Sequence, residues 1–283
     1  MVRLSELTEV ESKMNDFLEV QKIRETMLKM GHNTQSLGAH FGGGLSLVEI
    51  LYVLFKYVMK FDVKDIVNAQ RDRLVFSKGH GTLALYPIMA KVGIITEQEL
   101  FTYKLNDTRL TAHPSRKKEL GFDLSTGSLG QGLSMAVGMA IALKMNQNNH
   151  RVFVILGDGE CDEGQVWEAA MLASHKSLTN LVVIVDYNKI QYDGNIDQIL
   201  RLEPFSLKWE SFGWNTLEVD GHNIEELIET FRKLDHSKPN TIIAHTVKGK
   251  GISFMEGNPK WHHGVLTDEK LAEALNELNE ELS

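Results

Sequence analysis

Two continuous apolar runs, at residues 152–156 and 181–185, constrain the fold more than any other feature of this sequence. Apolar runs of this length are typical of strands that are buried on both faces in a parallel sheet. Residues 162–175, which lie between them, have a helical pattern. The three segments therefore predict a βαβ unit with a right-handed crossover, and with it a protein of the α/β class.

Further elements extend this unit in both directions. Residues 73–77 and 241–247 predict two more strands, and helices are expected to begin near Asn223 and at Thr267. No internal repeat, low-complexity segment or linker interrupts the sequence. We expect one α/β domain over residues 1–283, with a mostly parallel sheet and helices on both faces.

Local patterns near the N-terminus predict helix boundaries and a loop. A helix over residues 11–30 would end at Gly31, which would act as a left-handed cap. Ser46 and Glu49 have the spacing of a capping box, so a helix is expected to begin there. The three glycines at positions 42–44 would let the backbone approach a ligand closely.

Composition excludes several classes of protein. The single cysteine, Cys161, excludes a disulfide framework and a cysteine-rich zinc site. With 30 basic and 38 acidic residues the net charge is −8, which disfavours a protein that coats nucleic acid.

The N-terminus lacks the apolar core of a signal peptide, and the longest apolar stretch, at residues 133–143, is shorter than the ~20 residues of a membrane-spanning helix. We therefore expect a cytoplasmic protein whose partners include neither nucleic acid nor a membrane.

Polar residues follow both strands of the βαβ unit. Gly157-Asp158-Gly159 follows the first strand and Asn188 follows the second. Neighbouring parallel strands lie ~4.8 Å apart and end at the same edge, so one ion can contact both side chains. A carboxylate and an amide oxygen suit Mg²⁺, which takes its other ligands from water and substrate phosphates. The glycine N–H groups at the next helix N-terminus form a natural anion site. The alternative is a simple Gly-Asp-Gly turn without a ligand.

The spacing from Gly157-Asp158-Gly159 across residues 160–187 to Asn188 resembles the motif of thiamine diphosphate (ThDP) enzymes. Other segments resemble the transketolase branch of these enzymes in particular, and the resemblance covers nearly all of residues 20–265. The matching segments are RLVFSKGHG (73–81), AHP (112–114), STGSLGQGLSMAVGMA (125–140), GDGECDEGQVWEAA (157–170), DYNKIQYDG (186–194), DGHN (220–223) and TVKGKG (246–251).

The resemblance implies which residues hold a cofactor and a cation. Mg²⁺, or another divalent cation such as Ca²⁺, would be ligated by the side chains of Asp158 and Asn188 and by the carbonyl of Ile190. ThDP itself would be contacted by His80 and Gly159 at the diphosphate, by Gly127, Ser128 and Leu129 along the cofactor, and by Asp158, Glu163, Asn188 and His263.

The resemblance also implies catalytic residues. His40, His113 and His263 match histidines that line the substrate channel, where an ordinary pKa of ~6.5 permits proton exchange near neutrality. Glu163 matches an acidic position near the cofactor at the subunit contact. His262 precedes His263, so the choice between the two stays open, with His263 favoured. Without the resemblance, each of these histidines is more often a structural residue.

The resemblance implies a function that needs a second chain. Transketolases also contain a pyrimidine-binding domain and a C-terminal domain, which are absent from residues 1–283. We therefore expect the N-terminal subunit of a split transketolase, which transfers a two-carbon ketol unit from a ketose phosphate to an aldose phosphate. It would need ThDP, Mg²⁺ and an α2β2 complex with the subunit that carries the pyrimidine domain. A role in the pentose phosphate pathway and a more specialised sugar role both fit.

Three other functions stay open. The alpha subunit of another split ThDP enzyme, such as a 2-oxo acid dehydrogenase, is disfavoured by the SKGHG and TGSLGQG segments. A non-catalytic module that holds ThDP and Mg²⁺ as a regulator is disfavoured by the channel histidines. A Rossmann oxidoreductase is disfavoured because Gly127, Gly130 and Gly132 do not form G-x-G-x-x-G.

Overall fold

Five parallel strands form the centre of the computed structural model, which describes the backbone of residues 4–281 and the side chains of residues 11 and 13–281. In chain order the strands are β1 (Arg73–Phe76), β2 (Val152–Gly157), β3 (Leu181–Tyr187), β4 (Ile190–Gln191), β5 (Gly194–Asn195), β6 (Asn215–Asp220) and β7 (Asn240–His245). Strands β4 and β5 form a separate antiparallel pair. The other five lie in the order β1-β2-β3-β7-β6, and every neighbouring pair is parallel. The predicted parallel sheet is confirmed.

Helices connect and cover these strands. They are α1 (Leu4–Asn33), α2 (Phe41–Leu45), α3 (Val48–Val53), α4 (Thr82–Lys91), α5 (Glu97–Leu100), α6 (Gln131–Met145), α7 (Gly164–His175), α8 (Ile196–Ile199), α9 (Phe205–Ser211), α10 (Ile224–Arg232) and α11 (Asp268–Glu280). Helix α7 is the crossover between β2 and β3. Asn223 and Thr267 cap α10 and α11 with their side chains, as the sequence predicts. None of the described helices has the length and apolar character that crossing a bilayer requires.

Alternate residues of the sheet pack into two apolar cores, one on each face. In β2, Phe153 and Ile155 join the core that contains residues of α1, α3, α4, α10 and α11. Val152, Val154 and Leu156 join the core that contains residues of α6, α7 and α9. Each such side chain stabilises the fold by about 1.5–3 kcal/mol through its burial. Because both faces are covered, the strand must be apolar throughout, and the expected helices on both faces are confirmed.

The register brings the carboxyl ends of the strands together at one edge. Gly157 pairs with Asp186, and Asp186 pairs with Ala244, so β2, β3 and β7 end side by side. After β3 the chain continues to α9 in one core, and after β7 it continues to α11 in the other. Open α/β sheets bind ligands where two neighbouring connections leave to opposite faces in this way.

Two predicted helix boundaries are wrong. Helix α1 continues past Gly31, because that residue packs against Phe41: a Cβ on Gly31 would lie only 2.3 Å from the phenyl ring. Ser46 and Glu49 form no capping box, because both side chains are buried and make contacts with distant parts of the chain. Local spacing alone does not distinguish these packing roles from helix signals.

Candidate functional site

Asp158 lies at the carboxyl end of β2, where the chain enters a short 3₁₀ turn (Gly159–Asp162). Its side chain is 3% exposed and accepts hydrogen bonds from the N–H groups of Gly159 at 2.8 Å and Lys189 at 2.5 Å. The N–H of Gly159, expected to face a diphosphate, thus donates to Asp158. Burial, followed by the negative charge of Asp186, raises the pKa of Asp158 to about 6. A cation beside this carboxylate would be strongly favoured.

Asn188 and Ile190 lie next to Asp158 on the loop that follows β3. Asn188 is buried, its Oδ1 accepts from the N–H of Ile190 at 3.1 Å, and its Nδ2 donates to Asp186 at 3.3 Å. The carbonyl of Ile190 accepts from Nζ of Lys248 at 2.7 Å. The carbonyl expected to ligate a metal therefore already binds a positive charge.

Lys78 and Lys248 bring two positive charges close to the buried Asp186. Lys78, which follows β1, forms an ion pair with Asp186. Burial alone would raise the pKa of Asp186, but Lys78 and the hydroxyls of Ser46 and Thr246 outweigh it and keep that pKa below its usual value. Burial, and then the charge of Lys78, lowers the pKa of Lys248 to about 8. We name the following residues the strand-end cluster: Lys78, Asp158, Asp186, Asn188, Ile190 and Lys248.

Two glycine-rich loops cross beside the strand-end cluster. Gly127 has a φ of +142°, which favours glycine. A Cβ on Gly79 would lie 3.1 Å from Cα of Gly127, and a Cβ on Gly127 would lie 3.2 Å from the ring of His113. These glycines permit the two loops and the histidine to pack in direct contact. The glycines at positions 42–44 also permit close packing. Gly43 lies against His80, so the missing side chain makes room for another side chain of the protein.

Sequence reasoning missed Glu160, which lies beneath these loops. Its buried carboxylate accepts hydrogen bonds from the N–H of Gly130 at 2.9 Å, from the N–H of Gly157 at 3.2 Å, and from the hydroxyl of Ser77. Burial raises the pKa of Glu160 despite these donors. One side chain therefore joins the loops that follow β1 and β2 to the start of α6.

Ser128, Leu129 and Glu163 lie on the surface beside these loops. Ser128 is exposed, and Leu129 is 37% exposed although it is apolar. Glu163 is exposed at the start of α7, and its Cβ lies 2.8 Å from where a Cβ on Gly130 would be. An exposed leucine and an exposed acid next to the same glycine loop are accessible to a ligand or to a second chain.

Five histidines from four segments meet at the same edge. The ring centroids of His80, His113, His262 and His263 lie 5.4, 5.8, 5.6 and 4.6 Å from that of His40. We name these five residues the histidine cluster. The structure therefore brings together every histidine that the sequence singled out.

A backbone bridge brings the two distant segments of the histidine cluster together. The N–H of Ala39 donates to the carbonyl of Gly264 at 2.8 Å, and the N–H of Gly264 donates back to Ala39 at 3.0 Å. The residues next to this bridge are His40 and His263, so their rings become neighbours. The sequence carries no sign of this pairing, since only two residues take part.

His262 and His263 both belong to the histidine cluster, and they differ in their other contacts. The ring of His262 lies 4.9 Å from that of His80, and its Nδ1 lies 3.0 Å from Nζ of Lys248. His262 therefore connects the histidine cluster to the strand-end cluster. The ring of His263 instead lies next to Gly38, where an added Cβ would be 2.9 Å from it.

Burial makes the histidine cluster neutral. It is the largest cause that lowers the pKa of His40 to about 3, followed by the charges of neighbouring histidines and lysines, and it lowers the pKa of His262 to about 3 as well. Burial, and then the charge of Lys104, lowers the pKa of His113 and of His263. Neutral imidazoles offer one donor and one acceptor each. Nδ1 of His40 is buried and has no hydrogen-bond partner within residues 11 and 13–281.

The oxygen donors of the strand-end cluster fit a divalent cation. In the described part of the chain, no three His, Cys, Asp or Glu side chains gather as a metal site. A cation would thus depend on the carboxylate of Asp158, the amide of Asn188 and the carbonyl of Ile190, all hard donors. The raised pKa of Asp158, caused by burial and the charge of Asp186, shows that positive charge is favoured beside this carboxylate.

Comparison with known proteins identifies the family. Residues 17–281 match the family described as transketolase, thiamine diphosphate binding domain. One of the subunits of the apulose-4-phosphate transketolase of Actinobacillus succinogenes is 41% identical over 264 residues, which cover 93% of this chain and 95% of that protein. The 6-deoxy-6-sulfo-D-fructose transketolase subunit SqwG of Clostridium sp. is 44% identical over 244 residues, 86% of this chain and 89% of that protein. The chain belongs to the transketolase family, and its matched region is the ThDP-binding domain of that family.

Solved transketolases have the same fold. The transketolase of Campylobacter jejuni superposes with a TM-score of 0.84 at 30% identity, covering 94% of this chain and 42% of that chain. The transketolase of Leishmania mexicana superposes with a TM-score of 0.83 at 28% identity, covering 94% and 41%. The chain therefore spans less than half the length of these solved enzymes.

Proposed function

We propose that this chain is the N-terminal subunit of a split transketolase, which transfers a two-carbon ketol unit from a ketose phosphate to an aldose phosphate. Relatives that match over about nine-tenths of their length are named as transketolase subunits, and the one from Phocaeicola vulgatus is again named for apulose 4-phosphate. The observation that carries the proposal is that the strand-end cluster and the histidine cluster share one edge of the sheet.

In this proposal the strand-end cluster holds the diphosphate end of ThDP. Asp158, Asn188 and the carbonyl of Ile190 would ligate Mg²⁺ or Ca²⁺, which the diphosphate and water complete. Gly159 and His80 would face the diphosphate. The residues assigned to the rest of the cofactor are Gly127, Ser128 and Leu129, with Leu129 offering an apolar side chain to a ring. When bound, ThDP supplies the carbon nucleophile that carries the two-carbon unit.

The histidine cluster would take part in proton transfer to and from the sugar substrate. His40, His113 and His263 are neutral at pH 7 because burial lowers the pKa of each. Each neutral imidazole can therefore accept a proton from a hydroxyl at one nitrogen, while the N–H of the other can donate a hydrogen bond to a carbonyl oxygen. Glu163, exposed at the start of α7, would contribute from the contact with the second chain.

The substrates would be anionic sugars, and their identity separates two roles. A pentose phosphate pathway enzyme would use common sugar phosphates. Relatives that are 41% and 44% identical are named for apulose 4-phosphate and 6-deoxy-6-sulfofructose, which favours a specialised donor. We further propose one diphosphate-binding domain over residues 1–283, an α2β2 assembly with a pyrimidine-domain subunit, and a cytoplasmic location.

The test is ketol transfer by the purified chain, with and without the pyrimidine-domain subunit. With ThDP, Mg²⁺, xylulose 5-phosphate and ribose 5-phosphate, we expect no turnover by the chain alone, because half of the cofactor site would be missing. The complex should turn over, on these sugars or on a panel of phosphorylated and sulfonated ketoses.

Two results would contradict this proposal. Substantial turnover by the chain alone would exclude the split-subunit function. A complex that is inactive on every ketose but reduces a lipoyl-domain acceptor with a 2-oxo acid would identify the other split ThDP enzyme. A complex with Asp158→Asn serves as the control for contaminating transketolase.

A further inference from the structure

The segment at residues 246–251 carries Lys248 into the strand-end cluster. This segment lies beyond β7, and Gly249 and Gly251 have φ angles of +82° and +91°. Its shape is therefore irregular and is not set by the sheet. The position of Lys248 must depend on other contacts that hold the segment.

His222 holds this segment on one side of Lys248. Its Nε2 accepts a hydrogen bond from the N–H of Val247 at 2.9 Å, and its Nδ1 lies 3.0 Å from a carboxylate oxygen of Glu49. A backbone N–H can only donate, so in the neutral ring the proton belongs on Nδ1, which donates to Glu49. The backbone thus selects one tautomer of His222.

Gly221 permits this approach. Its N–H donates to the carbonyl of His245 at 2.8 Å, and a Cβ on Gly221 would lie 2.4 Å from the methyl group of Thr246. Any larger residue would push the turn away from the end of β7. His222 would then lose its reach to Val247.

Arg24 holds the segment on the other side of Lys248. Glu49 and Arg24 are 5% and 3% exposed, and Nη2 of Arg24 donates to Glu49 at 2.5 Å. Nε of Arg24 donates to the carbonyl of Lys250 at 3.2 Å. One continuous chain of hydrogen bonds therefore starts at Val247, runs through three side chains and returns to the same segment at Lys250.

We propose that Arg24, Glu49 and His222 form a clamp that positions Lys248, and that His222 is the positioning residue through which the clamp affects cofactor affinity. The clamp fixes the backbone on both sides of Lys248, so its side chain extends from a rigid base. Its effect on cofactor affinity rests on the proposed function, whereas its effect on the segment does not.

Two substitutions of His222 separate its two hydrogen bonds. In His222→Gln the amide oxygen can take the place of Nε2 and accept from Val247. In His222→Asn the shorter amide can donate to Glu49 but does not reach Val247. Because only the second variant loses the anchor of the segment, a difference between them reports on positioning and not on the presence of a histidine.

The experiment measures two quantities. The first is hydrogen exchange of the amides at residues 246–251 in the full chain, and the second is ThDP affinity at millimolar Mg²⁺, by calorimetry, in the complex with the pyrimidine-domain subunit. We expect His222→Asn to speed exchange at Val247 and to weaken ThDP binding by up to about tenfold, the size of effect that the loss of one hydrogen bond has. His222→Gln should stay within about twofold of the wild type in both.

Each outcome decides the proposal. Unchanged exchange in His222→Asn, or equal effects of the two variants on exchange or on affinity, would overturn it. If His222→Asn fails to fold, weakened ThDP binding by His222→Gln would overturn it as well, and retained binding would support it. If the wild-type complex binds no ThDP, the proposed function fails, while the exchange measurement still decides whether the clamp holds the segment.

Discussion

The strand-end cluster and the histidine cluster lie at the same edge of the sheet, yet the first contains charged side chains and the second contains neutral ones. The charged side chains of the strand-end cluster are buried, and an ion pair with Lys78 keeps Asp186 ionised. The histidine cluster is partly buried and neutral, and the pKa of His40 is lowered to about 3. Burial penalises charge in both, but only the strand-end cluster has counter-charges close enough to offset that penalty.

This difference indicates a division of labour. Fixed charges and hard oxygen donors suit the retention of a cation and an anion, which do not change their charge during a reaction. Neutral imidazoles suit proton handling, since each can accept a proton or hydrogen bond at one ring nitrogen and donate a hydrogen bond from the other. Substitutions in the two clusters should therefore affect different measurements, and the following predictions test that separation.

The largest effect is expected from Asp158→Ala. Asp158 supplies the only negative charge among the three proposed metal ligands, so the variant complex should show no ThDP binding by calorimetry at millimolar Mg²⁺. The unfolding free energy of the cofactor-free chain should not fall at pH 7.5. Burial raises the pKa of Asp158 to about 6 in the folded chain, so at pH 7.5 the carboxylate is ionised and costs the folded state free energy relative to the unfolded state. Unchanged ThDP affinity, in this variant or in the isosteric Asp158→Asn, would refute the assignment of the metal site.

A different pattern is expected from His113→Ala. This residue lies in the histidine cluster, outside the strand-end cluster, so ThDP affinity should stay within about threefold while turnover falls about 10²–10⁴-fold. His236→Ala, which alters an exposed histidine outside the cluster, is the control. Wild-type turnover in His113→Ala would show that the residue is structural, and a parallel loss of affinity would remove the distinction between the clusters.

The smallest effect concerns stability and pH. His40 has a pKa of about 3 in the folded chain, against ~6.5 when unfolded, so the unfolded state takes up a proton first as pH falls. Stability that is present above pH ~6.5 is therefore lost progressively toward pH 3. Between pH 7 and pH 5, urea denaturation should show wild type losing about 1–2 kcal/mol more than His40→Asn. Equal losses would mean that His40 is not desolvated in the folded chain.

The sequence predicts the interior of the sheet better than its edge. The central strands could be predicted because both of their faces are buried, which requires continuous apolar runs. Strand β6 was not predicted because only Val219 among its residues is buried, whereas β1, at the opposite edge, has three buried residues and was predicted. Helix signals failed at Gly31 and Glu49 because contacts with distant residues, and not the local chain, select these side chains.

The candidate site was predictable wherever side chains follow a strand directly. Asp158 and Asn188 lie on neighbouring loops for that reason, since β2 and β3 are adjacent parallel strands. Glu160, Lys248 and His222 were missed, because each contacts segments that are far away in the sequence. Their partners are mainly backbone groups, which leave no mark in a pattern of residue types.

The contact between Lys248 and the carbonyl of Ile190 has a thermodynamic consequence. A cation that takes this carbonyl as a ligand must displace the ammonium that lies 2.7 Å from it. The displaced charge is buried and then requires an anion nearby, which a diphosphate provides. Cation and diphosphate should therefore bind with positive cooperativity, and by linkage each raises the affinity of the other by the same factor. Either ion alone would bind weakly, so in the proposed site the lysine would make binding of one ion depend on binding of the other.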